Sequence, residues 1–590
     1  MKKLLLILCL LCPLLAVAAP VSETACRKIA AEFLNSKKCR VDAAQLKLVK
    51  TDFAVKSSAQ APAYYVYKTP AKGFVIVSGD DSVEPILAYS TEGNLSEGNP
   101  APNFLSWMQM WERIIDSNRR LRTKADSKVS QAWMDVTAPA KMTSGPAEML
   151  LETALWNQGS PYNLKCPSDG GGRCYTGCTA TALAIIMRYH KWPDAGVGTL
   201  PGYITGEIEI PDVVLGERYD WDNMPLTYDG TATEDQKNAV ATLMYHLGVM
   251  MKSSYSSSGT GSHAIYIANS ITKHMKYEDT QVFTYADLYS QEEWVGNIKR
   301  SIQNNCPVHY SGWAEDGGGH AFVADGYDAQ DKIHINFGWG GADNGYFAVP
   351  KFGEYTEGHI AIFNLKKDEG ASSANIVLTT YKGSKGIEAT VDGNKVTVFE
   401  TGLPMQIKVA YYENLSAAAF DGELGVGHWN REGSLVEVLG SKQLDEEFSG
   451  LTLDGSSYLV GLDFSGCVLE EPIRVGDVIM AMFKEDGGEW KSCPYERNVP
   501  GFVGALEIAD PRTIRECTKV SMDPSAGTVV ITTKDQVEIK LLDSAGAQVA
   551  DGFSITDAGA VIDAARIRKG KYTLSLFKEN EEPVEIEVEL

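Results

Sequence analysis

An α+β central region, preceded by a smaller α+β unit and followed by all-β sandwich modules, is the architecture that the sequence predicts. Three observations carry it. From about residue 147 to 365, helical patterns come first and strand patterns afterwards, the order of an α+β domain whose segregated halves leave a cleft between them. Ahead of that region, amphipathic helical stretches flank apolar strands. Beyond residue 367, short segments alternate apolar and polar residues between Asp-Gly and Asn-containing turns. A length of 590 residues excludes a single core, and 44% apolar with 22% charged residues is the balance of folded globular protein.

Taken in order, "MKKLLLILCLLCPLLAVAAP" joins a short basic start, an apolar run and a small-residue A-x-A pattern at Ala16 to Ala18. This reads as a secretory signal peptide over residues 1–19, so the chain is expected to be secreted or carried to the cell surface. Cys9 and Cys12 lie inside the apolar run, not where a lipobox places its cysteine. No later stretch approaches the ~18 to 20 apolar residues of a spanning helix, and no membrane span is expected.

Residues 20–141 form the smaller unit. "ETACRKIAAEFLNSK" has helical spacing, "AYYVYKTPAKGFVIVSGDDSVEPILAYS" reads as strands around a Pro/Gly turn, and "NFLSWMQMWERIIDSNRRLR" is again helical. The polar stretch after it, with Lys124, Lys128 and Lys141, reads as a linker open to proteolysis. In residues 142–366 helices are expected near 148–156, 178–190, 233–251 and 263–274, then strands at "VHYSGW", "HAFVADGYD" and "KIHINFGW". Residues 367–508 and 509–590 read as two β-sandwich modules. The 54 Lys and Arg against 77 Asp and Glu leave a formal charge of −23. That balance repels phosphate backbones, so nucleic acid is not an expected partner.

Cysteine usage raises the chemical question. After the leader remain Cys26, Cys39, Cys166, Cys174, Cys178, Cys306, Cys467, Cys493 and Cys517, an odd set that leaves at least one thiol unpaired in an oxidising compartment. Cys178 follows Gly177 and opens "TATALAIIMRYH", an Ala-, Leu- and Ile-rich run suited to a buried helix. A thiol at a helix N-terminus meets unpaired N–H groups and the positive end of the helix dipole, which favour thiolate. Gly177 allows close approach of a substrate carbonyl, with the Cys178 N–H as an oxyanion donor. A nucleophile needs a base, and His320 is singled out by "DGGGHAFVADGYD", where Gly319 and its neighbours leave access. A hairpin centred near Ala329 places His320 opposite the stretch containing Asn336 and Trp339, an amide and an aromatic wall for the imidazole. Gln158, in "LLETALWNQGSPYN", can complete the oxyanion hole. Ser258 and Gly259, in "SSYSSSGTGSHA", read either as the rim of a substrate pocket or as a flexible linker.

Plainer readings stand beside these. Cys178 alone could be an inert buried thiol or a disulfide partner of Cys174 or Cys166. Cys166 and Cys174, if they pair at all, pair with each other across "PSDGGGR". A zinc site of Cys174, Cys178 and His190 lacks a second ligand pair, so no metal or other cofactor is expected. His263 and His334 read as surface or core-edge residues.

Together "WNQGSPYN", "YTGCTATALAIIMRYHKWP", "GGGHAFVADGYD" and "NFGWGGADNGYF" resemble the motif set of the streptopain family of papain-fold cysteine peptidases, the interpain-type enzymes among them. "GFVIVSGDDSVEPILAYS" is similar to that family's inhibitory propeptide. The resemblance covers residues of about 20 to 365. It implies a papain-like, two-lobed catalytic domain with Cys178 as nucleophile, His320 as base, Trp339 supporting the histidine and Gln158 in the oxyanion hole. The spacing of Cys178 and His320 falls within the ~130 to 150 residues of papain-type enzymes, although papain's own "CGSCW" is absent. Phe337 stands where the family's motif has tryptophan, so Asn336 and Trp339 both stay candidates for orienting His320. The resemblance implies a zymogen acting on protein and peptide substrates, with its own propeptide as intramolecular inhibitor. The C-terminal segment resembles type IX sorting domains. A reading of another class is a surface adhesin whose β-modules bind partners on an inert peptidase-like scaffold.

Overall fold

The computed structural model describes residues 19–589 except 50–60, 97–99, 124, 138–147, 280–281, 314–318, 351–357, 371–375, 397, 453–456, 497–500, 509–518 and short stretches after residue 523. The leader through residue 18, Lys124, Lys141, Cys517 and the expected boundaries at 141/142 and 508/509 lie outside the described residues.

Helix α1 (Glu23–Ser36) starts at Ser22, whose hydroxyl accepts from the Ala25 N–H, and buries Cys26, Ile29, Ala30, Phe33 and Leu34 on one face. Strands β1 (Lys47–Leu48), β2 (Tyr64–Lys68), β3 (Phe74–Ser78) and β4 (Ile86–Ser90) follow. Helix α2 (Pro102–Leu121) has proline in its first turn and ends at Arg122 in the left-handed region; Phe104, Trp107, Met108, Trp111 and Ile115 form its buried stripe. Sequence reasoning took the next stretch for a linker, yet Ser127–Thr137 is helix α3 and carries Lys128. Its Trp133 Nε1–H donates to the Val83 carbonyl at 2.7 Å, and Trp133 and Val136 pack against the α1 core. A buried contact of this kind overrides the polar composition.

In the central region α4 (Cys178–His190), α5 (Glu234–Met250) and α6 (Ile267–Met275) fall where the spacing predicts. Residues 148–156 do not form the expected helix: Met149–Leu150 is a short strand, β5, that pairs with Tyr327 and Gly326. Helix α7 (Gln291–Gln303), closed by a Ser290/Glu293 capping box, was missed by sequence reasoning. The remaining strands of the main sheet are β6 (Val282–Tyr285), β7 (Val308–Trp313), β8 (Gly319–Tyr327), β9 (Ile333–Asn336), β10 (Gly345–Phe347) and β11 (Ile360–Phe363).

One sheet joins the two regions. Its order is β1-β2-β3-β4-β10-β9-β8-β7-β11-β6, with β5 alongside β8. The junction is antiparallel, with Tyr346 opposite Tyr89 and Phe347 opposite Ala88. One core packs α4, α5 and α6 against Ala321, Val323, Ile360 and Ile362. On the other side α2 and α7 pack against Tyr310, Phe322, Ala324, Ile335, Phe337 and Phe347. Trp107 lies 6.0 Å from Phe322, 6.1 Å from Phe347 and 6.2 Å from Tyr310, all edge-to-face.

Charged groups add to the junction. The buried Asp328 carboxylate pairs with Lys37 Nζ at 3.0 Å and accepts from Tyr89 OH at 2.7 Å. Burial pushes this carboxyl up, but Lys332, Lys37, the Tyr89 hydroxyl and the Lys332 N–H together hold it below its ordinary value. Asp343 accepts the Ser96 and Ala101 N–H groups, both at 2.7 Å, at the entry to α2.

Beyond residue 376 the described residues form two pairs of facing sheets, as the alternation predicts. Ile407 and Val409 meet Leu424, Val426, Ile479 and Phe483 in one core; Val529, Ile531 and Ile562 meet Leu541, Leu574 and Leu576 in another. Leu415 and Leu451 of the first pair also enter the α4 core. No described helix is long and apolar enough to cross a membrane. The eight described cysteines are free thiols, so the pairing considered for Cys166 and Cys174 is not formed in this structure.

Because Trp107 fills the shared core, Trp107→Ala in the full-length chain is expected to cost about 3 to 5 kcal/mol. The measurement is the urea midpoint of the transition that opens the α2 interface, and an unchanged midpoint would contradict the shared core.

Candidate active site

Gly177 caps α4 with φ +86°, a conformation that side chains rarely adopt, and a Cβ there would stand 2.9 Å from the Thr260 carbonyl oxygen. Glycine is required on both counts. The Thr181 hydroxyl donates to the Gly177 carbonyl at 2.9 Å and lies 2.8 Å from the Thr176 hydroxyl, fixing the turn that delivers Cys178 to the helix start. Below it His309, fully buried, sits with Nε2 3.3 Å from the Thr179 carbonyl; burial lowers its pKa to about 4, so the neutral ring donates this bond.

Cys178 is half-buried, and its Sγ lies 4.0 Å from the Gly319 carbonyl on β8. The helix start was expected to lower its pKa. Instead, burial pushes the thiol above its ordinary value, while hydrogen bonds from the Ala321 backbone and from Thr179 pull it partly back. Removing water costs the charged form more than the helix end returns.

The four motifs meet around this point. The Thr176 N–H donates to the Gln158 carbonyl at 3.1 Å, which sets Gln158, itself buried, against the turn before Cys178. The Gly340 N–H donates to the Trp156 carbonyl at 2.8 Å, drawing the segment of Trp339 against that of Gln158. Trp339 is half-buried against the α2 core. Ser258 and Gly259 lie exposed in the loop that supplies Thr260, so the pocket-rim reading places them beside the thiol's helix.

His320 is positioned differently from the expectation. Successive strand residues face opposite sides. Ala321 and Val323 face the α4 core, and Phe322 and Ala324 face the α2 core. His320 lies on the Phe322 side, lining a cavity of about 20 Å³ with Asn103, Trp107, Gly312 and His359. The structure therefore brings Cys178 to the strand that carries His320 but leaves the imidazole on the strand's far face. Gly319, exposed, is the residue between them.

Asn336 is a correction. The hairpin centre near Ala329 holds, since Ala324 pairs with Ile335, and Asn336 stands opposite Val323. Its amide donates to Thr153 Oγ1 and the Ala154 carbonyl, both at 3.0 Å, and its Oδ1 accepts from the Gly338 N–H. The side chain is committed to holding residues 153–154. His334, read as a surface or core-edge residue, bonds to the buried Asp325 at 2.5 Å.

Sequence reasoning missed three residues. Asn103 is buried in α2 and donates to the Phe337 carbonyl at 2.9 Å and the Ala321 carbonyl at 3.3 Å. A polar residue on the apolar stripe "PNFLSWMQMW" was the available signal. Thr260 could not be foreseen, because its role lies in how closely it approaches Gly177. His359 is buried, with Nδ1 2.8 Å from the Tyr310 hydroxyl, which itself accepts from Trp294 Nε1–H; burial lowers its pKa to about 4.

Comparison with known proteins bears on the family. The family model "Peptidase C10 family" matches residues 156–347, and the "Spi protease inhibitor" model matches residues 18–115. Thiol protease/hemagglutinin PrtT of Porphyromonas gingivalis is 29% identical over 353 residues; the match covers 58% of this chain and 40% of that protein. Streptopain of Streptococcus pyogenes is 31% identical over 304 residues, 48% of this chain and 73% of its own length. A solved prointerpain A fragment from Prevotella intermedia is 26% identical, covering 54% of this chain and 98% of that one, with a TM-score of 0.43. By its identity with streptopain and its coverage of that protein, the chain belongs to the peptidase C10 family of streptopain-type cysteine peptidases and carries an N-terminal inhibitor propeptide domain.

Proposed function

We propose that the chain is a secreted cysteine endopeptidase with a papain-like, two-lobed catalytic domain, held latent by its own propeptide and activated by removing it. One observation carries the reading: the thiol of Cys178 and the imidazole of His320 flank one strand, and the propeptide helix α2 covers the imidazole's side through Asn103 and Trp107.

Loss of α2 frees His320 to turn about Gly319 toward the sulfur. The Cys178–His320 pair then forms a thiolate and an imidazolium, which offset the cost of burying the charge. The thiolate attacks the peptide carbonyl, forming a C–S bond. The developing oxyanion is held by the Cys178 N–H and the Gln158 side-chain amide. As the C–N bond breaks, His320 gives its proton to the leaving amine. It then takes a proton from water, which hydrolyses the thioester and returns the thiol. Trp339 shields the imidazole. Substrates are proteins and peptides laid along the groove edged by Gly177, Gly319, Ser258 and Gly259. The leader accounts for export. The final β-pair is assigned to sorting on its sequence resemblance alone.

Cys178→Ala is expected to leave a folded precursor that never self-processes, and a variant that still matures and cleaves casein sinks the assignment. In the uncut chain the raised thiol value means that iodoacetamide labelling of Cys178 climbs about tenfold per pH unit from pH 6 to 9, because only thiolate reacts. A pH-independent rate would show that an ion pair already exists. Gly177→Ala, which strains the cap by roughly 1 to 3 kcal/mol and meets Thr260, should cut peptide hydrolysis at least tenfold while circular dichroism stays unchanged.

A further inference from the structure

The loop "SSYSSSGTGSHA" is tied at both ends. Toward the nucleophile, Ser254 bridges Gly261, the Ser256 N–H donates to Thr260 Oγ1 at 3.0 Å, Thr260 abuts Gly177, and Thr179 Oγ1–H donates to the Ser262 carbonyl at 3.2 Å. The Tyr175 N–H also reaches the Ser256 carbonyl at 3.1 Å. Toward solvent the partner is a second loop, the glycine-rich hairpin 167–174, where Ser168 bridges Arg173.

Asp169 makes that second tie. Its Oδ2 accepts the Ser257 N–H at 2.7 Å and the Ser256 hydroxyl at 3.5 Å, and its Oδ1 accepts the Gly171 N–H at 2.9 Å. Hydrogen bonds from the Ser257 backbone first, then from its side chain and the Gly171 N–H, hold the carboxyl down at about 2. The glycines let the hairpin come this close: a Cβ on Gly171 would stand 3.0 Å from Ser257 Oγ. Ser258, whose N–H donates to Ser256 Oγ at 3.1 Å, and Gly259 are thus presented, exposed, by the outer end of this loop.

We infer that Asp169 is a specificity-positioning residue: by clamping Ser256 and Ser257 it sets the rim on which a substrate's residues before the scissile bond are aligned, without touching substrate or the reacting atoms. The inference rests on the endopeptidase reading. Charge-assisted bonds such as those from the Ser257 and Gly171 N–H groups are the strong class of loop tie. Their loss leaves Gly177 and Thr260 in place, so the nucleophile should not feel it. The consequence falls on KM rather than on the chemical step.

The test uses the full chain after activation, with Asp169→Ala and Asp169→Asn. Asp169→Ala should raise KM for peptide substrates about fivefold with kcat within twofold, and the rate of Cys178 alkylation by iodoacetamide should match the parent's. Asp169→Asn, which keeps one acceptor, should fall between. In the Cys178→Ala precursor, amide exchange at Ser257 should speed up at least tenfold on adding Asp169→Ala, a readout that needs no activity. Unchanged exchange, or a fall in kcat together with slower alkylation, overturns the positioning role. If the parent enzyme itself hydrolyses no peptide, the endopeptidase reading fails, while the Ser257 exchange still decides whether Asp169 holds the loop.

Discussion

Strand β8 is covered on one face by α4 and on the other by α2, and the molecule is organised around that division. A strand offers alternate residues to its two faces. Ala321 and Val323 therefore belong to the core that seats the Cys178 helix, while His320 and Phe322 belong to the side packed with Trp107 and Asn103. The same packing that stabilises the N-terminal domain on the sheet holds the imidazole away from the sulfur. On the proposed mechanism, folding energy and latency share one interaction: the aromatic contacts of Trp107 contribute to the first, and the place of His320 accounts for the second.

The electrostatics follow from the same covering. Burial pushes the Cys178 thiol up and leaves His309 and His359 neutral, because burying a charge is costly. Asp328 keeps its charge because Lys37 and Lys332 stand beside it and Tyr89 donates to it. One carboxylate of the central region thus fastens two residues of the N-terminal domain, next to the strand pairing of Tyr89 with Tyr346. Removing that domain would uncover an edge strand and an apolar sheet face together, which is why the inhibitor is as much a part of the core as of the site.

Much of the fold was legible. Helices α1, α2, α4, α5 and α6 show apolar spacing that burial alone explains, and the two facing pairs of sheets follow from the alternation beyond residue 376. Local pattern failed where a distant contact decides: at α3, docked through Trp133 and Val83; at Met149–Leu150, recruited to the β8 edge; and at α7, whose capping box went unread. Around the Cys178 helix start, backbone bonds draw the segments of Gln158 and Trp339 together, and Gly177 forms the cap. Asn336 does not join them, because its amide is taken by Thr153 and Ala154.

By itself the sequence determined which residues could do chemistry. A cysteine after glycine at a helix start, a histidine in a glycine-flanked strand and a glutamine before the turn are choices of covalent structure, and they stand wherever the chain is folded. Only the tertiary structure decided which of them meet. Which face of β8 His320 takes, which way the Cys178 thiol is pushed, and how closely Thr260 and Asp169 hold the loop beside it depend on contacts between segments far apart in the chain. Such contacts are set by packing and by the removal of water, and neither is written in local spacing.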